Sequence, residues 1–142
     1  LYDGSLCILT KTRRTNRRAL ARVRRLWSEL AARVLVMDPS RHDRLLAGVS
    51  HLPHVIAFCL MGAADDAALS IAPRSFQDVT RIAKSDPGLW EAIFLTNRGP
   101  ISAAMRRFER EWHTLRRHLA WSDRAALRRL LLRAKSRRDA LD

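Results

Sequence analysis

The run from Leu45 to Ala64 is apolar over a length that would cross a bilayer, yet Ser50-His51-Leu52-Pro53-His54 lies near its centre. Two imidazoles in such a stretch are costly unless polar partners face them, and a proline inside a helix kinks or splits it. No second run of this kind accompanies it. The segment therefore reads as a central buried helix interrupted near Pro53, and a membrane span is not expected. A second polar island follows in Phe76-Gln77-Asp78-Val79-Thr80-Arg81-Ile82-Ala83, then Ser85-Asp86-Pro87, Leu89-Trp90 and Asn97. Imidazole, guanidinium and indole together are what a small anionic substrate with a ring requires.

The segments around these islands set the fold class. Leu6-Cys7-Ile8-Leu9-Thr10 and Arg33-Val34-Leu35-Val36-Met37 read as strands. Between them Asn16 can cap a helix with an apolar stripe of Leu20, Val23, Leu26, Trp27 and Leu30. Strand, helix and strand at this spacing make a βαβ unit and so a parallel pair. Two strands are a poor sheet alone, so residues 1–38 look like the edge of a larger α/β domain. Asp38 as N-cap with Pro39 in the first turn then opens the helical part, residues 39–142. Asp65 to Pro73 reads as a turn or loop, Phe76 to Ala83 as a short helix, and Ser85-Asp86-Pro87 as the cap of the next. Gly99-Pro100 breaks or bends the chain. Ile101, Met105, Phe108, Trp112, Leu115 and Leu119 follow at helical spacing, and Ser122-Asp123 caps a last helix bearing Leu127, Leu131, Ala134 and Leu141. The expectation is a mainly α protein with a kinked central helix and an antiparallel C-terminal hairpin, preceded by a small βαβ fragment.

The 142 residues suit one modest domain with a fringe of another, and the first residue is Leu1 where a start would show Met, so a piece of a longer polypeptide is expected. Net charge is +13, with 24 Arg against 3 Lys. The Arg residues interleave with apolar ones in two helical blocks, Lys11 to Arg25 and Arg106 to Arg138, and neither zinc-finger spacing nor RNP-type aromatics occur. Solvated helix faces explain this pattern, and nucleic-acid binding is not expected from composition alone. Cys7 and Cys59 sit far apart in apolar segments, which suggests buried, reduced thiols.

Each polar candidate has a plain structural alternative. His51 and His54 are three apart and share a helix face. They are either core histidines bonded to backbone carbonyls or to Ser50, or neutral imidazoles lining a pocket, with nearby Arg holding their pKa down. No metal is expected, because Asp43 and Cys59 complete no known ligand pattern. Asp78 and Arg81 are either a surface ion pair or an arrangement in which Asp78 orients Arg81 toward a carboxylate. Trp90 is a core aromatic or a pocket wall. With five glycines there is no GxGxxG, no P-loop, and no plausible Ser-His-Asp or Cys-His set.

In order and spacing these motifs resemble the C-terminal helical domain of the prephenate dehydrogenases, a family that includes arogenate and cyclohexadienyl dehydrogenases. The resemblance runs from Ile8-Leu9-Thr10 through Val36-Met37-Asp38-Pro39, His42-Asp43-Arg44, Ala47 and Ser50-His51-Leu52-Pro53-His54. It continues through Asp78-Val79-Thr80-Arg81-Ile82-Ala83, Ser85-Asp86-Pro87, Leu89-Trp90, Ile93 and Asn97. It implies a cytoplasmic enzyme of tyrosine biosynthesis in which a Rossmann domain binds NAD or NADP and the helical domain forms a homodimer and closes the substrate cleft. Carried onto this chain, Arg81 would meet a carboxylate of prephenate or arogenate, Asp78 would steady it, His51 and His54 would line the pocket, and Trp90 would close its wall. The family's catalytic histidine and its serine partner belong to the nucleotide domain, so this chain should hold no catalytic residue and be inactive alone. Two positions depart from the pattern: Lys11 stands where the family usually has Pro, and Arg74-Ser75 where it is glycine-rich. The rivals are a non-catalytic regulatory domain of the same fold and a basic nucleic-acid-binding module.

Overall fold

The computed structural model describes residues 2–30 and 33–141. β1 (Leu6–Thr10) and β2 (Arg33–Met37) form a parallel pair with Leu6 opposite Arg33 and Thr10 opposite Met37. The crossover is α1 (Arg17–Glu29), begun by Asn16, whose side chain accepts from the N–H groups of Arg18 and Ala19. Trp27 packs edge-on against Tyr2 at 5.2 Å, but no residue of α1 is fully buried. Two strands offer too narrow a surface to cover the whole stripe, and Val23, Leu26 and Leu30 stay exposed.

Asp38 caps α2 (Pro39–Leu46) by accepting from Arg41 N–H at 2.9 Å, with Pro39 in the first turn, where no donor is needed. The chain then passes without a break through a π turn, Ala47–His51, into α3 (Leu52–Ala63). Leu52 N–H bonds the Ala47 carbonyl five residues back, one residue before Pro53, which has no N–H to give. The proline thus widens the helix and does not split it, and Pro39–Ala63 remains one 25-residue helix.

That helix is long and apolar enough to span a membrane by length and composition, but it is not the buried rod its sequence suggests: only 11% of the apolar window is buried. Ala47 and Ala57 are covered, whereas Leu45, Val49, Leu60 and Met61 face outward. Apolar periodicity names the face that seeks cover and not what supplies it. Cys59 is likewise exposed and Cys7 only half-buried, so neither is the buried thiol expected.

Asp65, expected in a loop, caps a short helix, α4 (Asp66–Ser70), through Ala68 N–H at 2.7 Å. α5 (Arg74–Thr80) tightens into a 3-10 turn over Arg81–Lys84. Asp86 caps α6 (Pro87–Thr96) through Leu89 N–H at 2.7 Å. The break expected at Gly99-Pro100 falls at Asn97, and both residues lie in the first turn of α7 (Arg98–Ala120). α3 packs on α5 and on the 3-10 turn.

The chain divides into two compact units, Leu1–Ile101 and Ser102–Asp142. The second is an antiparallel hairpin of α7 from Ser102 onward and α8 (Arg124–Asp139), tied by Arg133 to Glu111 at 2.8 Å. Its connection is a Schellman turn in which Asp123 N–H reaches the His118 carbonyl and Ser122 N–H that of Leu119, with Ser122 at φ 48°. Much of the seam is open, since Phe108, Trp112, Leu119 and Leu131 are exposed.

Candidate functional site

Three elements of the first unit meet at Trp90. The π turn brings His51, α3 brings His54, and α6 supplies the indole, which is 8% exposed. His54 stacks on Trp90 with ring centroids 3.5 Å apart and planes inclined 20°, while His51 meets it edge-on at 6.0 Å. Phe94 tilts against the indole at 5.5 Å and stands edge-on to Phe58 at 6.3 Å. The result is an aromatic wall with two imidazoles set into it.

Backbone and amide groups hold both imidazoles. His54 Nδ1 lies 2.9 Å from the Ser50 carbonyl, and His51 Nδ1 lies 3.0 Å from Asn97 Nδ2. Asn97 also donates to the Asp43 carbonyl at 2.9 Å, so the side chain that ends α6 clamps α2 and the π turn together. Burial lowers the His51 pKa, and His42 adds to this; Asp43 opposes it, and His54 contributes a smaller lowering. The expected cause, a nearby Arg, does not operate. His42 itself faces the Asp43 carboxylate at 2.9 Å.

Asp78 and Arg81 stand on a groove that shares Phe58 with the aromatic wall. With Arg74 and Lys84 they border this open groove, lined by Phe58 and Met61 of α3 and Phe76 of α5. Arg81 is exposed. The expected orientation of Arg81 by Asp78 is not observed: the Asp78 carboxylate instead lies 4.0 Å from Arg74 Nε, with both side chains largely in solvent. Asp78 meets Arg74 one α-helical turn back on α5, and Arg81 stands beyond the end of that helix. Thr80, the buried member of this motif, closes α5 by donating from Oγ1 to the Phe76 carbonyl at 2.7 Å.

The structure thus brings together His51, His54 and Trp90, and places Asp78 and Arg81 on the groove rim. The sequence named Asn97 without giving it a function. The available signal was a lone amide at the end of an apolar helix, which needs a partner if buried. Among the described residues no cluster of His, Cys, Asp or Glu could hold a metal ion.

The loop before α1 lacks glycine, and Asn16 caps that helix through the Arg18 and Ala19 N–H groups.

Comparison with known proteins gives this arrangement a family. The family model for the prephenate dehydrogenase dimerization domain matches residues 38–133. A cyclohexadienyl dehydrogenase of Zymomonas mobilis is 33% identical over 130 residues, covering 87% of this chain and 44% of that protein. A prephenate dehydrogenase of Bacillus subtilis is 29% identical over 147 residues, covering 99% of this chain and 40% of that protein. Among solved structures, Aquifex aeolicus prephenate dehydrogenase, in complex with hydroxyphenyl propionate and NAD+, superposes with a TM-score of 0.89 at 33% identity, over 99% of this chain and 51% of that one. The chain belongs to the prephenate dehydrogenase family and carries its dimerization domain. It spans less than half the length of these curated relatives and about half that of the solved structure.

Proposed function

We propose that this chain is the substrate-binding and dimerisation part of a prephenate dehydrogenase, with residues 1–38 as the edge of its nucleotide-binding domain and 39–142 as the helical domain. The reaction is the oxidative decarboxylation of prephenate to 4-hydroxyphenylpyruvate, or the corresponding step on arogenate. A hydride leaves the carbon bearing the ring hydroxyl, the ring carboxylate departs as carbon dioxide, and the electron pair of the broken C–C bond enters the new aromatic ring. NAD or NADP, when bound, supplies the hydride acceptor, held mainly by the nucleotide-binding domain of which residues 1–38 are the edge.

The observation that carries the substrate assignment, beyond the family match, is the charge of the groove. Arg74, Arg81 and Lys84 border it against the single carboxylate of Asp78, a balance suited to an anionic ligand. Arg81 pairs with a substrate carboxylate, Asp78 tempers the charge around it, His51 and His54 supply hydrogen bonds, and Trp90 forms an aromatic wall. No catalytic residue is assigned to this chain, and the reading places the enzyme in the cytoplasm. Homodimerisation is supported by the apolar side chains left uncovered on Pro39–Ala63 and on α6, among them Val49, Leu89 and Leu95.

The test is NAD(P)-dependent turnover by the full-length protein with prephenate and with arogenate, beside the 142-residue chain alone. Turnover of either substrate by the full-length protein and none by the short chain supports the proposal. An inactive full-length protein with both nicotinamides would overturn it. Sedimentation should give a dimer, and a monomer at tens of micromolar would remove the dimerisation claim.

A further inference from the structure

The amide of Asn97 determines where the His51 proton sits. Its Nδ2 faces the Asp43 carbonyl at 2.9 Å, and a carbonyl only accepts, so the atom placed there is the NH2 group and not the amide oxygen. That nitrogen has no lone pair to offer His51. Its second proton therefore goes to His51 Nδ1 at 3.0 Å, which must be bare, leaving the ring proton on Nε2. His54 is held the opposite way. Its Nδ1 lies 2.9 Å from the Ser50 carbonyl and so must donate, which leaves the neutral ring's lone pair on Nε2. Asn97 is only 7% exposed and is anchored at both protons, so neither amide flip is available without losing a buried bond.

We propose that Asn97 is a positioning residue that fixes His51 as the Nε2–H tautomer, so that His51 of the π turn and His54 of α3 offer the ligand one donor, His51 Nε2, and one acceptor, His54 Nε2. The use of that pair by substrate rests on the dehydrogenase reading; the tautomer does not. A carboxylate spanning both rings would need two donors and is disfavoured, whereas an oxygen acceptor at His51 and a hydroxyl proton at His54 are matched. The charged and titratable neighbours of His51 are His42 and Asp43 on α2 and His54 on α3. The α6 groups that meet it, Trp90 and Asn97, are uncharged.

The experiment is nitrogen NMR of the full-length protein with 15N-labelled histidine, near pH 7.5 and without substrate, His51 being assigned by its loss in His51→Gln. Bare Nδ1 and protonated Nε2 are expected for His51, and the reverse for His54. A protonated His51 Nδ1 in the unmodified protein overturns the proposal, whatever any variant does. Asn97→Asp puts an acceptor of the same shape beside the ring. It should move the proton onto His51 Nδ1, shift the acid limb of the KM profile to higher pH, and raise KM for prephenate roughly tenfold. Unchanged nitrogen shifts in a folded Asn97→Asp protein would also overturn it. Because the spectrum is recorded without substrate, the expected pattern in a protein that turns over neither prephenate nor arogenate sinks the dehydrogenase reading and not the tautomer.

Discussion

The imidazole of His54 lies nearly flat on the indole of Trp90, with ring centroids 3.5 Å apart. This stack joins the first turns of α3 to those of α6, and His51 and Phe94 close on the same indole from other sides. Trp90 therefore serves the fold and the candidate site with one side chain.

Truncating Trp90 should cost both at once. Trp90→Ala removes a nearly buried indole and should destabilise the protein by about 3–5 kcal/mol. Trp90→Phe keeps a ring against His54 but not its area, and should cost about 1–2 kcal/mol. Denaturant unfolding measures both. A loss below ~1 kcal/mol for Trp90→Ala would mean that the stack contributes little to holding α3 and α6 together.

Arg81 and Asp78 should behave in the opposite way. Both are exposed, and the Asp78 pair with Arg74 is long and solvated. Arg81→Ala and Asp78→Asn should each change unfolding free energy by no more than about 0.5 kcal/mol. If Arg81 meets a substrate carboxylate, Arg81→Ala should raise KM for prephenate by roughly 10- to 100-fold, as expected for a charge-assisted bond. Asp78→Asn should leave KM within about threefold, because the carboxylate does not hold the guanidinium. Steady-state kinetics of the full-length protein separate the two, and equal losses would restore Asp78 as the orienting residue.

What was legible in the sequence follows from how local each signal is. Caps and strand periodicity depend on a few neighbouring residues, so Asn16, Asp38 and Asp86 marked helix starts that the structure keeps. α4 escaped because five residues are too few for a period, although Asp65 was there to cap it. Pro53 announced an irregularity, but whether a helix kinks, splits or widens depends on where the carbonyls it leaves unpaired find partners. The Asp78–Arg81 pairing failed because spacing alone does not choose between two arginines, and Asp78 faces Arg74 four residues back. Asn97 reaches 46 residues back to His51, and a contact at that separation leaves no periodic trace.

The hairpin turn holds a second local surprise. Ser122 was expected to help cap α8, but Asp123 alone does so, accepting from Ala126 N–H at 2.9 Å. Ser122 instead occupies the left-handed C′ position of the Schellman turn at φ 48°. An L side chain there is strained by about 1 kcal/mol, a strain that glycine lacks, though glycine loses more entropy on folding. Ser122→Gly should therefore stabilise the second unit by about 0.5 kcal/mol, read as a higher midpoint in denaturant with an unchanged slope. A lower midpoint would show that the serine side chain offsets the strain.

Stability should also fall on mild acidification because of His51. Burial and His42 lower its pKa in the fold, so the unfolded chain, titrating near 6.5, binds the proton more readily. The stabilisation is fully present above that value. It is lost as pH falls from about 6.5 toward the lowered folded value, and no further below it. The physical source is first the partial burial of the imidazole, which penalises its charged form, and then the neighbouring His42. Tm measured from pH 7.5 down to 5 should decline more steeply in the unmodified protein than in His51→Gln, which has no proton to gain. In Asn97→Asp the carboxylate accepts from His51 Nδ1–H and raises the folded pKa, so the His51 contribution should change sign and favour the fold as pH falls through that raised value. Parallel Tm profiles for all three proteins would show that the site does not couple His51 protonation to folding.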